Sequence, residues 1–381
     1  MSGHKLIFFI FHFSCFYAIS GMSITTELTV NQSTQTNSFC VCMPYWLCKE
    51  DYSGLTDDIS SVVDIRSMLV NKMEETPCTA DFDMCCQVQC GRRRRSIYED
   101  NKDFRNKRTE KPFARIFPSI LSQRILGTNN EAEFGEFPWM LGILWKTVFQ
   151  CGASLIHPQV AMTAAHCVAG KEGPLKVRAG EWNWANNDET LPHQERITKK
   201  VIIHQHYHPM TIRNDIALLV LDKPFRITES VGIVCIPPQN MNFDGAVCTA
   251  SGWGKNAHYN GQYQDTLKKT DLPIVEREKC TNVLREARLG QLFNLHRSFI
   301  CAGGEENKDT CKGDGGSPLV CPIHNDEDRY EQAGIVSWGL TCGSKNTPGV
   351  YVNVPLFSDW IDDQMQKLNF DTSIYRYFAD N

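Results

Sequence analysis

Three stretches of this 381-residue chain hold side chains that could act on an acyl bond. The densest runs Asp309-Thr-Cys-Lys-Gly-Asp-Gly-Gly-Ser-Pro-Leu-Val-Cys321, with two carboxylates, three glycines and the Ser317 hydroxyl beside a pair of cysteines. A second, Thr163-Ala-Ala-His166-Cys167, offers an imidazole, and a third, Asn214-Asp215-Ile-Ala-Leu218, a carboxylate. A hydroxyl, an imidazole and a carboxylate are the parts of nucleophilic acyl transfer when a fold brings them into line. Taken singly, a histidine or an aspartate is usually structural, so order and context decide. Two other sets invite a metal reading. Glu181, Asn183 and Glu195 put oxygen donors into one acidic stretch, and calcium takes several such ligands, although an acidic surface loop gives the same pattern. His204-x-His206-x-His208 alternates imidazoles, and alternate residues at a strand end share a face whether or not an ion is bound.

These groups need a scaffold, and the second two-thirds of the chain supplies one. Short Val-, Ile- and Leu-rich runs at 141–145, 160–163, 201–204, 216–221 and 334–338 alternate with turn clusters, which reads as all-β. Phe357, Trp360, Ile361, Met365 and Leu368 then recur at helical spacing, with Pro355 suited to a first helical position.

The first third is organised differently. Lys5, an apolar run over 6–17 and Ala18-Ile19-Ser20 read as a secretory signal rather than a membrane anchor, which places the mature protein outside the cell. The signal takes Cys15 with it, leaving an even set from the 17 cysteines, and in an oxidising compartment that set means disulfides rather than zinc. Residues 21–39 are rich in Ser, Thr, Asn and Gln, read as flexible, and carry the glycosylation sequon Asn31-Gln-Ser33. Cys40, Cys42, Cys48, Cys78, Cys85 and Cys86 crowd a segment too small for a large core, which therefore needs cross-links. Spacing alone leaves all fifteen pairings of six cysteines open. From Arg92 to Arg124, eleven Lys or Arg stand against four acids. The run Arg92–Arg95 reads equally as a dibasic processing site and as a solvated linker, with contact to an anionic surface a weaker alternative. A net charge of −5 gives no nucleic-acid signal.

The stretch from Asp309 to Cys321 resembles the nucleophile loop of the trypsin-like serine proteases, Gly-Asp-Ser-Gly-Gly-Pro between two cysteines. Gly315 stands at the nucleophile position. Cys311, Gly313, Asp314, Pro318 and Cys321 keep the family separation, so the register has not shifted and Ser317 falls on the family's last glycine. The resemblance makes His166 the inherited base, Asp215 its orienting carboxylate, and the N–H groups of Gly313 and Gly315 the oxyanion donors. Loss of such a nucleophile costs on the order of 10⁶ in turnover. The resemblance also implies a pocket for a Lys or Arg side chain, with Asp309 at its base and Gly339 and Gly349 in its walls, kept either to dock a basic side chain without cutting or as inherited architecture with no ligand. Arg124-Ile125-Leu-Gly127 resembles an activation site, after which the Ile125 ammonium would pair with Asp314. Glu181, Asn183 and Glu195 fall in a loop similar to the family's calcium loop. The implied disulfides are Cys151–Cys167, Cys248–Cys321, Cys280–Cys301 and Cys311–Cys342, which leaves Cys90 for Cys235. Upstream, Cys-x-Cys-x-Pro-Tyr-Trp-x-Cys closing on Cys-Cys resembles the clip domain of arthropod extracellular proteases, implying Cys40–Cys85, Cys42–Cys78 and Cys48–Cys86.

Together these features identify a similarity to the clip-domain serine protease homologues. The expected architecture is all-β, a trypsin-like double β-barrel with a C-terminal helix, preceded by a small disulfide-stapled clip domain. The expected boundaries are signal 1–20, N-terminal segment 21–39, clip domain 40–86, linker 87–124, pseudoprotease domain 125–367 and tail 368–381. The resemblance implies a secreted, non-catalytic cofactor of prophenoloxidase activation, an arthropod immune cascade leading to melanisation. Its implied partners are prophenoloxidase and an activating clip-domain protease, with self-association after cleavage, no nucleic acid and no membrane span. No cofactor is required, calcium being the one candidate. A decoy that inhibits the same cascade and an adhesion or matrix protein are the alternatives.

Overall fold

The computed structural model describes residues 41–44, 83–86, 89–93, 130–186, 189, 191–255, 261–306, 308–324 and 326–377. The signal, Asn31, most of the clip and linker segments, Arg124 and Ile125 lie outside them. So do Cys40, Cys48 and Cys78, on which the three expected clip pairings rest. Within the clip segment, β1 (Val41–Pro44) pairs antiparallel with β2 (Asp83–Cys86).

Two closed antiparallel barrels follow. The first orders β3 (Met140–Trp145), β4 (Val148–His157), β5 (Val160–Thr163), β8 (Ala217–Leu221), β7 (Gln194–Ile203) and β6 (Lys176–Ala179). The second orders β10 (Lys268–Val275), β11 (Phe299–Ala302), β14 (Gly349–Asn353), β13 (Asp326–Trp338), β12 (Pro318–Ile323) and β9 (Val247–Gly252). β5 and β8 are buried along their whole length, as continuous apolar runs bounded by turns require, whereas β7 lies at the surface with only Thr198 buried. One apolar cluster crosses between the barrels, joining Trp139, Leu155 and Met162 to Val320, Ile335 and Val352. Two buried polar side chains in that seam pair with each other. The fully buried Ser154 hydroxyl donates to Gln332 Oε1 at 2.7 Å, and Gln332 Nε2 donates to the Gly334 carbonyl at 3.1 Å.

At the C-terminus a 3-10 turn, Val354–Phe357, contains Pro355 and leads into helix α3, Ser358–Lys367, after the single-turn α1 (Ala165–Val168) and α2 (Arg277–Leu284). Phe357, Trp360, Ile361 and Met365 are buried at the spacing read from sequence. The helix starts later than Pro355 because that proline closes the tighter turn. Residues 368–377, expected to belong to a tail, stay packed on the domain. Tyr375 is fully buried, its hydroxyl donates to Asp362 Oδ1 at 2.7 Å, its carbonyl accepts from Ile236 N at 2.8 Å, and Arg376 pairs with Asp362.

Five disulfides close among the described residues: Cys90–Cys235, Cys151–Cys167, Cys248–Cys321, Cys280–Cys301 and Cys311–Cys342. The first reaches back 145 residues and fastens the start of the linker to the barrels. Residues 89–93, read from composition as linker, are therefore part of the folded body. After proteolysis in the linker beyond Arg93, the protein is expected to run as one species in non-reducing electrophoresis and as two after reduction. Two species without reductant would contradict this pairing.

Candidate functional site

The site is built in the seam. Helix α1 follows the buried Thr163 and carries His166, whose backbone N–H donates to Asp215 Oδ1 at 2.8 Å and whose Nδ1 lies 2.7 Å from Asp215 Oδ2. Asn214 aims the aspartate. It adopts a left-handed φ of 56°, which asparagine tolerates, and its amide donates to the His206 carbonyl at 2.8 Å. Ser337 supplies a further donor to Asp215 Oδ2 at 2.6 Å, so the buried carboxylate is satisfied from three sides. The motifs give no sign of this contact from Ser337, whose place beside Asp215 depends on β13 running past it.

The other side of the imidazole faces Gly315. A β-carbon built there would stand 2.9 Å from His166 Nε2, so the ring reaches the space a nucleophile would fill, and Gly315 brings none. Ser317 cannot substitute. It is fully buried, its hydroxyl lies where a β-carbon on Gly152 would sit, 2.1 Å away, and it has no hydrogen-bond partner among the described residues. An orphan buried hydroxyl of this kind costs about 1–3 kcal/mol. The N–H groups of Gly313 and Gly315 donate to no acceptor among the described residues, and the Tyr263 ring packs against Gly313.

Asp314 is buried beneath this loop. Its two oxygens accept from Gly254 N at 2.7 Å and Cys311 N at 2.8 Å, and β-carbons at Gly252 or Gly254 would strike the carboxylate. Burial pushes it up to about 6 against those two bonds, and among the described residues no cation pairs with it. Asp309 lies on the same loop. It accepts from Thr310 N at 2.8 Å and Gly343 N at 3.1 Å, and Gly349 passes so close that a β-carbon would stand 3.0 Å from it. Burial pushes Asp309 up to about 7, with nearby Asp314 adding to the shift. At Gly339 the nearest atom to an added β-carbon is the Thr341 carbonyl at 3.5 Å, which leaves that wall open.

The acidic loop is arranged around an arginine. Arg178 donates to Glu181 Oε2 and to Glu195 Oε1, both at 2.8 Å, and Lys176 also holds Glu195. The Asn183 side chain instead accepts from Ala185 N in its own turn. Glu189, missed in the sequence, hydrogen-bonds to Glu181. Burial first, then Glu189, raises the Glu181 carboxyl well above its ordinary value, while Glu189 is lowered by that bond and by backbone N–H groups against its own burial. Three carboxylates suit calcium in kind. An ion could reach Glu181 and Glu195 together only by displacing the Arg178 guanidinium from between them.

The histidine run makes no such site. His204 Nδ1 accepts from His206 N, His208 Nδ1 accepts from Thr211 N, and the His204 ring is buried against Phe357 and Trp360, which pushes it down to about 4. Among the described residues only Cys151, His166 and Cys167 gather three ligand atoms closely, and the two sulfurs are bonded to each other.

Comparison with known proteins agrees with this geometry. The family described as Trypsin matches residues 126–361, and the one described as Serine protease Clip domain PPAF-2 matches residues 29–87. The chain is 47% identical over 270 residues to phenoloxidase-activating factor 2 of Galleria mellonella, covering 67% of this chain and 89% of that protein. It is 34% identical over 330 residues to inactive CLIP domain-containing serine protease A8 of Anopheles gambiae, covering 84% and 87% respectively. It is 35% identical over 350 residues to inactive CLIP domain-containing serine protease A3 of Aedes aegypti, covering 86% and 67%.

Two outcomes follow from the site. A fluorophosphonate probe is expected not to label the protein after cleavage at Arg124, and covalent adduct on Ser317 in a mass spectrum would overturn the geometry above. The second concerns Glu181. Its carboxyl ionises near 4.5 when unfolded and near 7 when folded, so the folded state holds the extra proton between those values and stability falls as pH rises through them. Glu181→Gln is expected to match the parent in melting temperature near pH 4 and to exceed it at pH 7.5. Millimolar calcium, which must displace Arg178, is expected to leave the melting temperature of both unchanged at pH 7.5. A rise in the parent but not in the variant would show that the ion takes the place of the guanidinium.

Proposed function

Because this chain belongs to the clip-domain serine protease homologues, we propose that it is a secreted, non-catalytic cofactor in an arthropod proteolytic immune cascade, prophenoloxidase activation. The observation that carries the reading is Gly315 facing an otherwise intact His166–Asp215–Ser337 array. The parts that support binding without chemistry are a buried Asp309 carboxylate that meets no cation among the described residues, with Gly349 against it, and Gly313 and Gly315 N–H groups that no acceptor among those residues takes. Such a site docks a basic side chain and its carbonyl without cutting the bond. Phenoloxidase-activating factor 2, the relative from Galleria mellonella, supplies the cascade by its name. The partners proposed are prophenoloxidase and the clip-domain protease that processes it, with self-association of the cleaved form. Among the described residues no helix is long and apolar enough to cross a membrane. The same surface would serve an inhibitory decoy, and the sign of its effect in a reconstituted system separates the two.

Cleavage at Arg124 has a physical purpose even without catalysis. A freed Ile125 ammonium would give Asp314 the cation it lacks, and breaking a buried pair of that kind costs roughly 3–5 kcal/mol. Asp314 and Asp309 are five residues apart in one disulfide-tied loop, so ordering one positions the other. Cleavage of the parent is expected to raise its melting temperature at pH 7.5 and to accelerate prophenoloxidase activation by its protease. Asp314→Asn, cleaved to the same extent, is expected to show neither gain. A variant that folds, is cleaved and stimulates as well as the parent would remove the ion pair from the account, and inhibition by the parent would replace the cofactor reading with the decoy.

A further inference from the structure

The tetrabasic run begins inside the folded body. Gly91 N donates to the Ile233 carbonyl at 2.7 Å, Tyr330 N donates to the Gly91 carbonyl at 2.8 Å, and Arg93 N donates to the Asp328 carbonyl at 3.2 Å. Arg92 bridges antiparallel to Arg329, so this segment adds a short strand to β13. Arg329 also donates to the Cys90 carbonyl at 2.8 Å, and the Cys90–Cys235 disulfide sits one residue before the strand. Only glycine fits at position 91, where φ is +77° and a β-carbon would lie 2.2 Å from the Tyr330 carbonyl.

Arg93 is seated in a socket. Its guanidinium pairs with Glu136, donates to the Tyr330 hydroxyl at 3.0 Å, and lies over the rings of Phe137 and Tyr330 at 5.4 and 5.7 Å from their centres. Glu136 is 3% exposed and also accepts from Lys269 Nζ at 2.6 Å and Glu133 N at 2.8 Å, which fixes its carboxylate to meet the arginine. Aromatic faces and a fixed carboxylate together select arginine's planar, forked cation.

We infer that Glu136, Phe137 and Tyr330 form an arginine socket for the chain's own Arg93, and that this docking withholds the bonds after Arg92 and Arg93 from processing enzymes. A basic-specific protease must take the arginine side chain into its own pocket and pair with an extended backbone on either side. Here the side chain and the backbone N–H of Arg93 are already committed, so the enzyme must wait for the segment to open. Of the linker's basic residues, the first two are the anchor, and cutting falls beyond them. The inference is independent of the cofactor reading, since it concerns the clamp and not the seam.

Limited digestion of the folded full-length protein with trypsin tests this, with new N-termini followed by mass spectrometry over time. Cuts after Arg92 or Arg93 are expected about a hundredfold more slowly than the fastest cut between residues 94 and 124, the product of several lost hydrogen bonds. In reduced, denatured protein that gap should close. Glu136→Gln and the milder Tyr330→Phe, which keeps the ring, should each speed cutting after Arg93 while leaving the fastest linker cut unchanged. Should Glu136→Gln fail to fold, Tyr330→Phe alone decides the socket's part. Cutting after Arg92 or Arg93 in the folded parent within a few-fold of the fastest linker bond would overturn the inference, and unchanged rates in the folded variants would remove the socket from it.

Discussion

The loop from Asp309 to Ser317 is bonded to both barrels, and the arrangement of the His166 and Asp309 sites hangs on that attachment. Gly152 N of the first barrel donates to the Gly315 carbonyl at 2.9 Å, while Gly316 N and the Ser317 carbonyl pair with Val336 of the second. At Gly316, with φ of +81°, a β-carbon would lie 2.3 Å from Thr163 Oγ1, so the crossing is open only to glycine. The Cys311–Cys342 disulfide closes the other side. A loop fixed in this way keeps its shape whether or not residue 315 has a side chain. That explains how residue 315 can lack a side chain while His166 and Asp215 keep their pairing beside it.

Electrostatics then separates the parts that are complete from those that wait for a partner. Asp215 is fully buried but receives His166 and Ser337. Among the described residues Asp314 and Asp309 have only backbone N–H donors, and burial raises both. Each would be relieved by a cation, Asp314 by an N-terminal ammonium and Asp309 by the side chain of a bound partner. Arginines from within the chain already meet the carboxylates of the acidic loop and the linker clamp, Arg178 at Glu181 and Glu195 and Arg93 at Glu136, although burial and Glu189 still raise Glu181.

Much of this was legible in the sequence because the chemistry demands fixed residue types at fixed spacing. His166, Asp215 and Gly315 were placed by their motifs, short apolar runs between turns showed an all-β domain, and the resemblance made it a double barrel. What was not legible are contacts between residues far apart that leave no local pattern. Nothing in four consecutive arginines shows that Arg93 meets a carboxylate 43 residues away, next to a tyrosine 237 residues away. Glu189 carries no spacing signal that would set it beside Glu181. The chain past α3 has no periodicity either, yet Tyr375 and Arg376 close on Asp362 and return the end of the chain to the core.

The central claim is a protease site that binds a basic side chain and does not cut. Calorimetric titration of an arginine-containing peptide into protein cleaved at Arg124, at pH 6 and pH 8, tests it most directly when the recovered peptide is weighed. Guanidinium stays charged at both values and Asp309 titrates near 7, so binding should be about tenfold tighter at pH 8, with the peptide recovered intact. A peptide recovered in two pieces, or no binding at either pH, would contradict the account.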